Sequence, residues 1–77
     1  MQKNIKQANF LDIESMALGN KLASVKIENC GEETSKIVAE DNLGNIYETP
    51  CEQKKIVSKS YMIINNYIKW SKLVLES

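Results

Sequence analysis

Histidine and arginine are both absent from this 77-residue chain, and their absence excludes several kinds of site. Without histidine, there is no imidazole to act as a general base at neutral pH or to complete a typical zinc site. Without arginine, the chain lacks the side chain that makes bidentate contacts with guanine or carboxylate groups. The segment Asp41–Asn45 lacks the spacing of a calcium-binding loop and is interpreted as a hairpin turn. We therefore predict a protein that is not an enzyme and that uses no cofactor or metal ion.

An excess of charge and long apolar runs are lacking as well. The ten basic residues, all lysine, balance ten acidic residues, so electrostatics alone give no reason to expect a nucleic-acid or membrane partner. No segment approaches the roughly 20 apolar residues of a membrane span. The first ten residues, MQKNIKQANF, are polar and do not resemble a signal peptide. These features predict a cytoplasmic protein that does not bind membranes.

Cysteine is scarce, with Cys30 and Cys51 as the only two. They do not form a C-x-x-C pair, so the sequence indicates neither a zinc site nor a redox motif. In the cytoplasm, both thiols are expected to be reduced. The predicted helix start would lower the pKa of the Cys51 thiol, but no histidine is available to activate it as a nucleophile. We interpret Cys51 as a small structural residue, and a Cys30–Cys51 disulfide is the alternative.

Composition favours a single folded domain. Hydrophobic residues make up 43 % of the chain and charged residues 26 %, a balance typical of globular proteins rather than disordered ones. We predict a flexible N-terminus over residues 1–8 and one small α+β domain over residues 9–77. Lysine, asparagine and isoleucine, which have AT-rich codons, are abundant. This abundance suggests a low-GC bacterium, or one of its phages or mobile elements, as the source.

Capping and alternation patterns predict a short N-terminal helix followed by three strands. Asn9 is suited to cap the helix, and Gly19-Asn20 is suited to end it. Apolar and polar residues then alternate with the period of a strand that has one wet face. The predicted strands cover residues 22–29, 36–41 and 46–48. Their short connections predict an antiparallel meander.

A long amphipathic helix is predicted over residues 50–75. Thr49 and Glu52 have the spacing of a capping box, and Pro50 would occupy the first helical position. Apolar residues then recur at helical spacing. The alternative is a mostly β protein in which a C-terminal hairpin turns at Asn65-Asn66, because β-branched and aromatic residues flank these asparagines.

The predicted C-terminal helix is longer than the predicted sheet. Strands of about six residues span roughly 20 Å, whereas a helix over residues 50–75 would be nearly 40 Å long. A break at Asn65-Asn66, packing of the first helix along the overhang, or a second chain would each resolve the mismatch. The overhang is apolar, and a monomer rarely exposes such a surface without a function. Its most prominent members are Tyr67, Trp70, Leu73 and Val74.

From these features we predict a small non-enzymatic interaction or regulatory module. It would bind a protein partner, or a second copy to form a homodimer, through the C-terminal segment, because aromatic anchors dominate interface energetics. The alternative is a nucleic-acid-binding regulator that combines lysines of the same segment with its aromatic residues. The lysines predicted to contact nucleic acid are Lys55, Lys59, Lys69 and Lys72.

Overall fold

A computed structural model describes residues 5–76, with side chains described for residues 5–73, and confirms the predicted α+β fold. Two helices pack on one face of a mixed sheet. The elements are, in chain order, β1 Ile5–Gln7, α1 Phe10–Leu18, β2 Leu22–Asn29, β3 Thr34–Asp41, β4 Ile46–Glu48, β5 Glu52–Gln53 and α2 Lys54–Glu76.

The predicted meander forms the centre of the sheet. β2 pairs antiparallel with β3, and β3 pairs antiparallel with β4. The turn between β3 and β4 contains Gly44 at φ 92°, a conformation that glycine adopts without strain. β5 extends the sheet by pairing with the first two residues of β3. The strand order is β1-β4-β3-β2, so β2 lies at one edge of the sheet.

The N-terminal strand was not predicted. Residues 5–7 form β1, which pairs in parallel with β4, and the Ala8 N–H donates to the Glu48 carbonyl. Residues 5–8 are therefore paired with β4, residues 1–4 lie outside the described part, and the flexibility of residues 1–8 stays a prediction. All three β1 side chains are exposed. This strand is held by its backbone pairing with β4 and by polar side-chain contacts to Tyr47 and Glu48, so no alternation of buried residues could reveal it.

Helix α1 begins and ends where its capping residues predict. The Asn9 side chain accepts a hydrogen bond from the Asp12 N–H at 2.7 Å, which satisfies one of the free donors of the first turn. At the other end, Asn20 adopts the left-handed conformation with φ 59°. Asparagine tolerates this conformation better than most residues, so the chain reverses there into β2.

Helix α2 begins at Lys54, four residues after Pro50, and the predicted capping box is wrong. The Thr49 side chain is buried, and its hydroxyl accepts a hydrogen bond from the Ile37 N–H in β3 at 2.9 Å. A partner that is distant in sequence therefore takes the oxygen that was predicted to cap the helix. The helix continues without interruption through Asn65-Asn66, so both the predicted break and the alternative hairpin are wrong.

The two cysteines form a disulfide, so the prediction of reduced thiols is wrong. Cys30 follows β2 and Cys51 precedes β5, and their Cα atoms lie 6.2 Å apart. β3 lies between these segments in the sheet, because it pairs with both β2 and β5. The bond therefore joins two segments that the sheet already brings together.

Among residues 5–73, an apolar core lies between the sheet and the helices. Buried and half-buried residues alternate along β3, as expected for a strand with one face on the core. α1 packs along the C-terminal half of α2, where Ser71 Oγ donates to the Ala17 carbonyl at 3.4 Å. The α2 overhang is thus partly covered by α1. The buried apolar residues are Ile13, Ala17, Leu22, Ile37, Ala39, Val57 and Ile64.

Candidate interaction surface

The predicted interface residues lie on the C-terminal half of α2, and their burial differs. Trp70 is 69 % exposed and Leu73 is 66 % exposed, so both side chains are largely in solvent. Tyr67 is half-buried and packs against the core. The side chain of Val74 lies outside the described part. Trp70 and Tyr67 are three residues apart on the helix and are therefore neighbours on its surface.

Sequence reasoning missed the contribution of α1 to this surface. Leu11 and Leu18 are 72 % and 62 % exposed, respectively, and together with Tyr67 they line a shallow hollow between the two helices. The spacing of seven residues between the two leucines places them on one face of α1, away from the buried Ile13. This spacing was visible in the sequence. We call Leu11, Leu18, Tyr67, Trp70 and Leu73 the helix-layer surface.

The four lysines of the alternative prediction are all exposed on α2. The structure does not bring all the aromatic side chains to the same side as these lysines. Tyr61 is half-buried and packs against the core, whereas Trp70 is exposed next to Lys69. Near the start of the helix, Glu33 and Lys55 line the same shallow hollow, so the lysines there are not the only charged side chains.

The face of the sheet opposite the helices carries paired charges. Glu48 accepts hydrogen bonds from Gln7 at 2.9 Å and from Lys36 at 3.0 Å. These hydrogen bonds, first that of Gln7 and then that of Lys36, lower the pKa of Glu48. Lys26 and Glu28 form a second ion pair at 3.2 Å. Most of the charge on this face is therefore matched within the chain.

The Asp41 carboxylate closes the turn between β3 and β4. It accepts from the backbone N–H groups of Leu43 and Asn45, from the Asn45 side-chain amide and from the Tyr47 hydroxyl. The Asn45 side-chain hydrogen bond is the main cause that lowers the pKa of Asp41, and together these bonds outweigh the opposing effect of burial. Burial, and next the neighbouring Asp41, raise the pKa of Tyr47. Both Asp41 oxygens are used by the turn itself, as expected of a structural carboxylate.

Within the described part of the chain, neither a cluster of metal ligands nor a membrane-spanning helix is found. Among its side chains, no three residues of the types Cys, His, Asp and Glu are arranged to hold a metal ion. No helix in residues 5–76 has the length and apolar character needed to cross a membrane.

Comparison of the chain with protein-family models, with curated protein sequences and with solved structures found no match.

Proposed function

We propose that this protein is a non-enzymatic interaction module that binds a protein partner through the helix-layer surface. The observation that carries the proposal is the exposure of Trp70, at 69 %, beside the similarly exposed Leu73. Large aromatic side chains supply most of the binding energy in protein interfaces when they become buried. In the free protein, exposing them to water has a cost that a binding function explains.

The arrangement of this surface suits binding because its base is packed on the core. Ile64, one turn before Tyr67 on the buried side of α2, is fully buried, and Ser71 ties the helix to α1 through the Ala17 carbonyl. The exposed side chains are therefore presented by two helices that are fixed to one core. Little backbone ordering would be needed on binding, which favours affinity.

A capture experiment tests this proposal. The immobilised protein would be incubated with a lysate of its native host, in parallel with the variants Trp70→Ala and Met62→Ala. Met62 is a matched control, because it is 65 % exposed on the same helix but is not part of the helix-layer surface. We expect a partner retained by wild type and Met62→Ala, and lost or weakened at least about tenfold with Trp70→Ala. A partner held equally by all three proteins would contradict the proposal.

The fluorescence of Trp70, the only tryptophan, gives an independent test. In the isolated protein we expect emission typical of an exposed indole and efficient quenching by acrylamide. Addition of the captured partner should shift the emission to shorter wavelength and protect the indole from the quencher. Emission typical of a buried indole in the isolated protein at low concentration would contradict the exposed surface on which the proposal rests.

Nucleic-acid binding is the second candidate, favoured by the exposure of Lys69 next to Trp70 and of the other lysines on α2. Lysines would contact phosphates while the indole stacks on a base. A fluorescent single-stranded oligonucleotide at low salt is the appropriate probe. Binding through phosphates should weaken steeply as salt rises and should weaken further in a Lys69→Gln/Lys72→Gln variant. No binding at low salt would remove this candidate.

The proposed regulatory role and the source rest on composition and size. A short chain rich in lysine, asparagine and isoleucine supports a regulator from a low-GC bacterium, phage or mobile element. The disulfide weakens the support for the predicted cytoplasmic location. Disulfides persist in oxidising compartments and are rare in the cytoplasm, so the Cys30–Cys51 bond favours an oxidising compartment. Alkylation of intact host cells before lysis would test this, because a cytoplasmic protein should be trapped with both thiols modified.

A further inference from the structure

β2 forms an edge of the sheet whose outer side has no strand beside it in the described part of the chain. It is eight residues long, as long as β3, and most of its side chains are exposed. Such an edge presents a row of backbone donors and acceptors that can pair with another strand. Three features of β2 determine which strand can pair with this edge: the direction of its backbone groups, its charges and the position of its bulge.

The hydrogen bonds of Ile37 determine which β2 residues face outward. Its N–H donates to the Thr49 hydroxyl at 2.9 Å, and its carbonyl accepts from the Thr49 N–H at 3.0 Å. Both groups therefore point away from β2. Ile27 is opposite Ile37, so this is a non-hydrogen-bonded pair, and the N–H and carbonyl of Ile27 point to the free edge.

The same geometry repeats every second residue along the strand. Val25 and Asn29 therefore also direct their backbone groups to the free edge. Lys26 and Glu28 direct theirs to β3, as their pairing with Val38 and Lys36 requires. The outer edge thus offers one backbone N–H and one carbonyl at each of three alternate residues, Val25, Ile27 and Asn29.

The charges of β2 select one antiparallel alignment with a second copy of the same strand. An alignment centred on Ile27 places Lys26 opposite Glu28 of the second copy, and Glu28 opposite Lys26 of the second copy. An alignment centred on Lys26 would place the two Lys26 side chains opposite each other. An alignment centred on Glu28 would do the same with the two Glu28 side chains. Like charges directly opposite each other are destabilising in a sheet, whereas opposite charges stabilise it.

The bulge and the exposed isoleucine agree with this alignment. The only register shift in the β2–β3 pairing lies between Leu22 and Ser24, outside the segment Val25–Asn29 that would pair. Ile27, which is 36 % exposed, would pack against Ile27 of the second copy at the twofold axis. Ile27 is opposite the buried Ile37 and so lies on the helix side of the sheet, whereas the two opposite-charge pairs would lie on the other side. Both contacts are self-complementary, as a twofold interface must be.

We propose that the protein forms a twofold dimer in which β2 pairs antiparallel with β2 of a second copy, centred on Ile27. The pairing makes about six backbone hydrogen bonds and joins the two sheets into one continuous sheet. The helix-layer surface is not part of this interface and stays open in the dimer. The proposal is therefore independent of the proposed partner binding.

Sedimentation equilibrium over a range of concentrations tests the dimer. Ile27→Pro is the most direct variant, because proline removes an N–H that points away from β3 and is tolerated at such positions of edge strands. We expect dimers for wild type and monomers for Ile27→Pro at the same concentration. Circular dichroism and intact-disulfide mass would establish that the variant is folded. A wild-type protein that stays monomeric at millimolar concentration would overturn the proposal, as would an Ile27→Pro variant that dimerises like wild type.

Charge variants test the alignment and remain informative if Ile27→Pro does not fold. Lys26→Glu and Glu28→Lys each turn two opposite-charge pairs into like-charge pairs, so each should raise the dimer Kd by about tenfold. The double variant Lys26→Glu/Glu28→Lys restores opposite charges and should recover most of the affinity. Failure of the double variant to recover it would overturn the alignment centred on Ile27.

Trp70→Ala separates this dimer from the helix-layer surface. Because Trp70 lies on the helices, this variant should dimerise like wild type while losing the captured partner. Dimerisation abolished by Trp70→Ala and unaffected by Ile27→Pro would instead place the self-interface on the helices and overturn the strand pairing. Carbodiimide cross-linking of a mixture of ¹⁴N- and ¹⁵N-labelled protein gives a final readout, since Lys26 should join Glu28 across the two isotopes.

Discussion

The two ends of this small domain are closed by different chemistry. At the end where α2 begins, the Cys30–Cys51 disulfide joins the segments that flank β3, and the Lys54 N–H donates to the Glu33 carbonyl. At the opposite end, the Asp41 carboxylate accepts four hydrogen bonds, and the Asn42 N–H donates to the Lys21 carbonyl. One closure is covalent and responds to reductant; the other is ionic and responds to pH.

The difference follows from the length of chain that each end must close. The disulfide spans 21 residues, whereas the Asp41 hydrogen bonds reach at most six residues along the chain. A long loop loses more conformational entropy when it is closed than a short one does, so a covalent bond stabilises it more. A tight turn needs only one side chain that satisfies its backbone donors. Variants that alter one end and leave the other unchanged test this comparison.

Removal of the disulfide should have the largest effect. In a Cys30→Ser/Cys51→Ser variant, we expect the free energy of unfolding to fall by about 3 kcal/mol, because the unfolded chain regains the freedom of the loop. Urea denaturation followed by circular dichroism would measure the change. Wild type in reductant should behave like the variant. An unchanged urea midpoint in both cases would show that this end does not depend on its covalent closure.

The buried Thr49 hydroxyl should contribute less than the disulfide at the same end. Thr49→Val keeps the shape of the side chain but removes the acceptor for the Ile37 N–H, which then remains buried and unpaired. We expect a loss of about 1–3 kcal/mol in urea denaturation. Thr49→Ser, which keeps the hydroxyl, should retain more stability than Thr49→Val. A Thr49→Val variant that equals Thr49→Ser would mean that this hydrogen bond does not stabilise the domain.

Asp41 should make the opposite end sensitive to acid. The pKa of Asp41 is lowered in the folded protein, so its contribution to stability is present above the unfolded pKa of about 3.9. The contribution is then lost as pH falls through the lower, folded pKa. Asp41→Asn should therefore be less stable than wild type at pH 7, and the difference should shrink below about pH 4.

The control for Asp41 is Glu32→Gln, which alters an acidic residue in the exposed loop near the disulfide. Urea denaturation across pH 2–7 would give the stability of each variant. Glu32→Gln should keep the wild-type dependence on pH. If Asp41→Asn kept it too, the turn would not depend on the ionised carboxylate.

The smallest expected effect on stability is that of Trp70→Ala. Because Trp70 is 69 % exposed, its removal should change the free energy of unfolding by no more than about 0.5 kcal/mol. Tyr67→Ala, three residues earlier, should cost more because Tyr67 packs against the core. Thermal denaturation of both variants would make the comparison. A large loss for Trp70→Ala would identify the indole as part of the core rather than of a binding surface.

Local signals in the sequence predicted most of the fold. The Asn9 cap and the alternation in β2 depend on neighbouring residues, so they could be read directly. The start of α2 could not be predicted in this way, because the Thr49 hydroxyl accepts a hydrogen bond from the N–H of Ile37, which lies twelve residues away in β3. β1 is three residues long and all its side chains are exposed, so it carried no signal.

The candidate site could be predicted only in part, because some of its residues depend on tertiary packing. Trp70 and Leu73 were placed in the overhang by comparing the length of the predicted helix with that of the predicted sheet, which needs no tertiary information. The two α1 leucines follow the same helical periodicity, yet which helix they lie beside depends on how α1 packs on α2. The disulfide depends on the pairing of β3 with both β2 and β5, which two cysteines in a sequence do not reveal.

Because β1 pairs with β4, the order in which the strands are made differs from the order in which they can pair. Ile5 is opposite Ile46, so β1 has no strand partner until the chain has grown past β4. The β2–β3 hairpin, whose pairs are close in sequence, has everything it needs much earlier. β1 can therefore join the sheet only after β4 has been made, whereas the pairing of β2 with β3 does not wait for either strand.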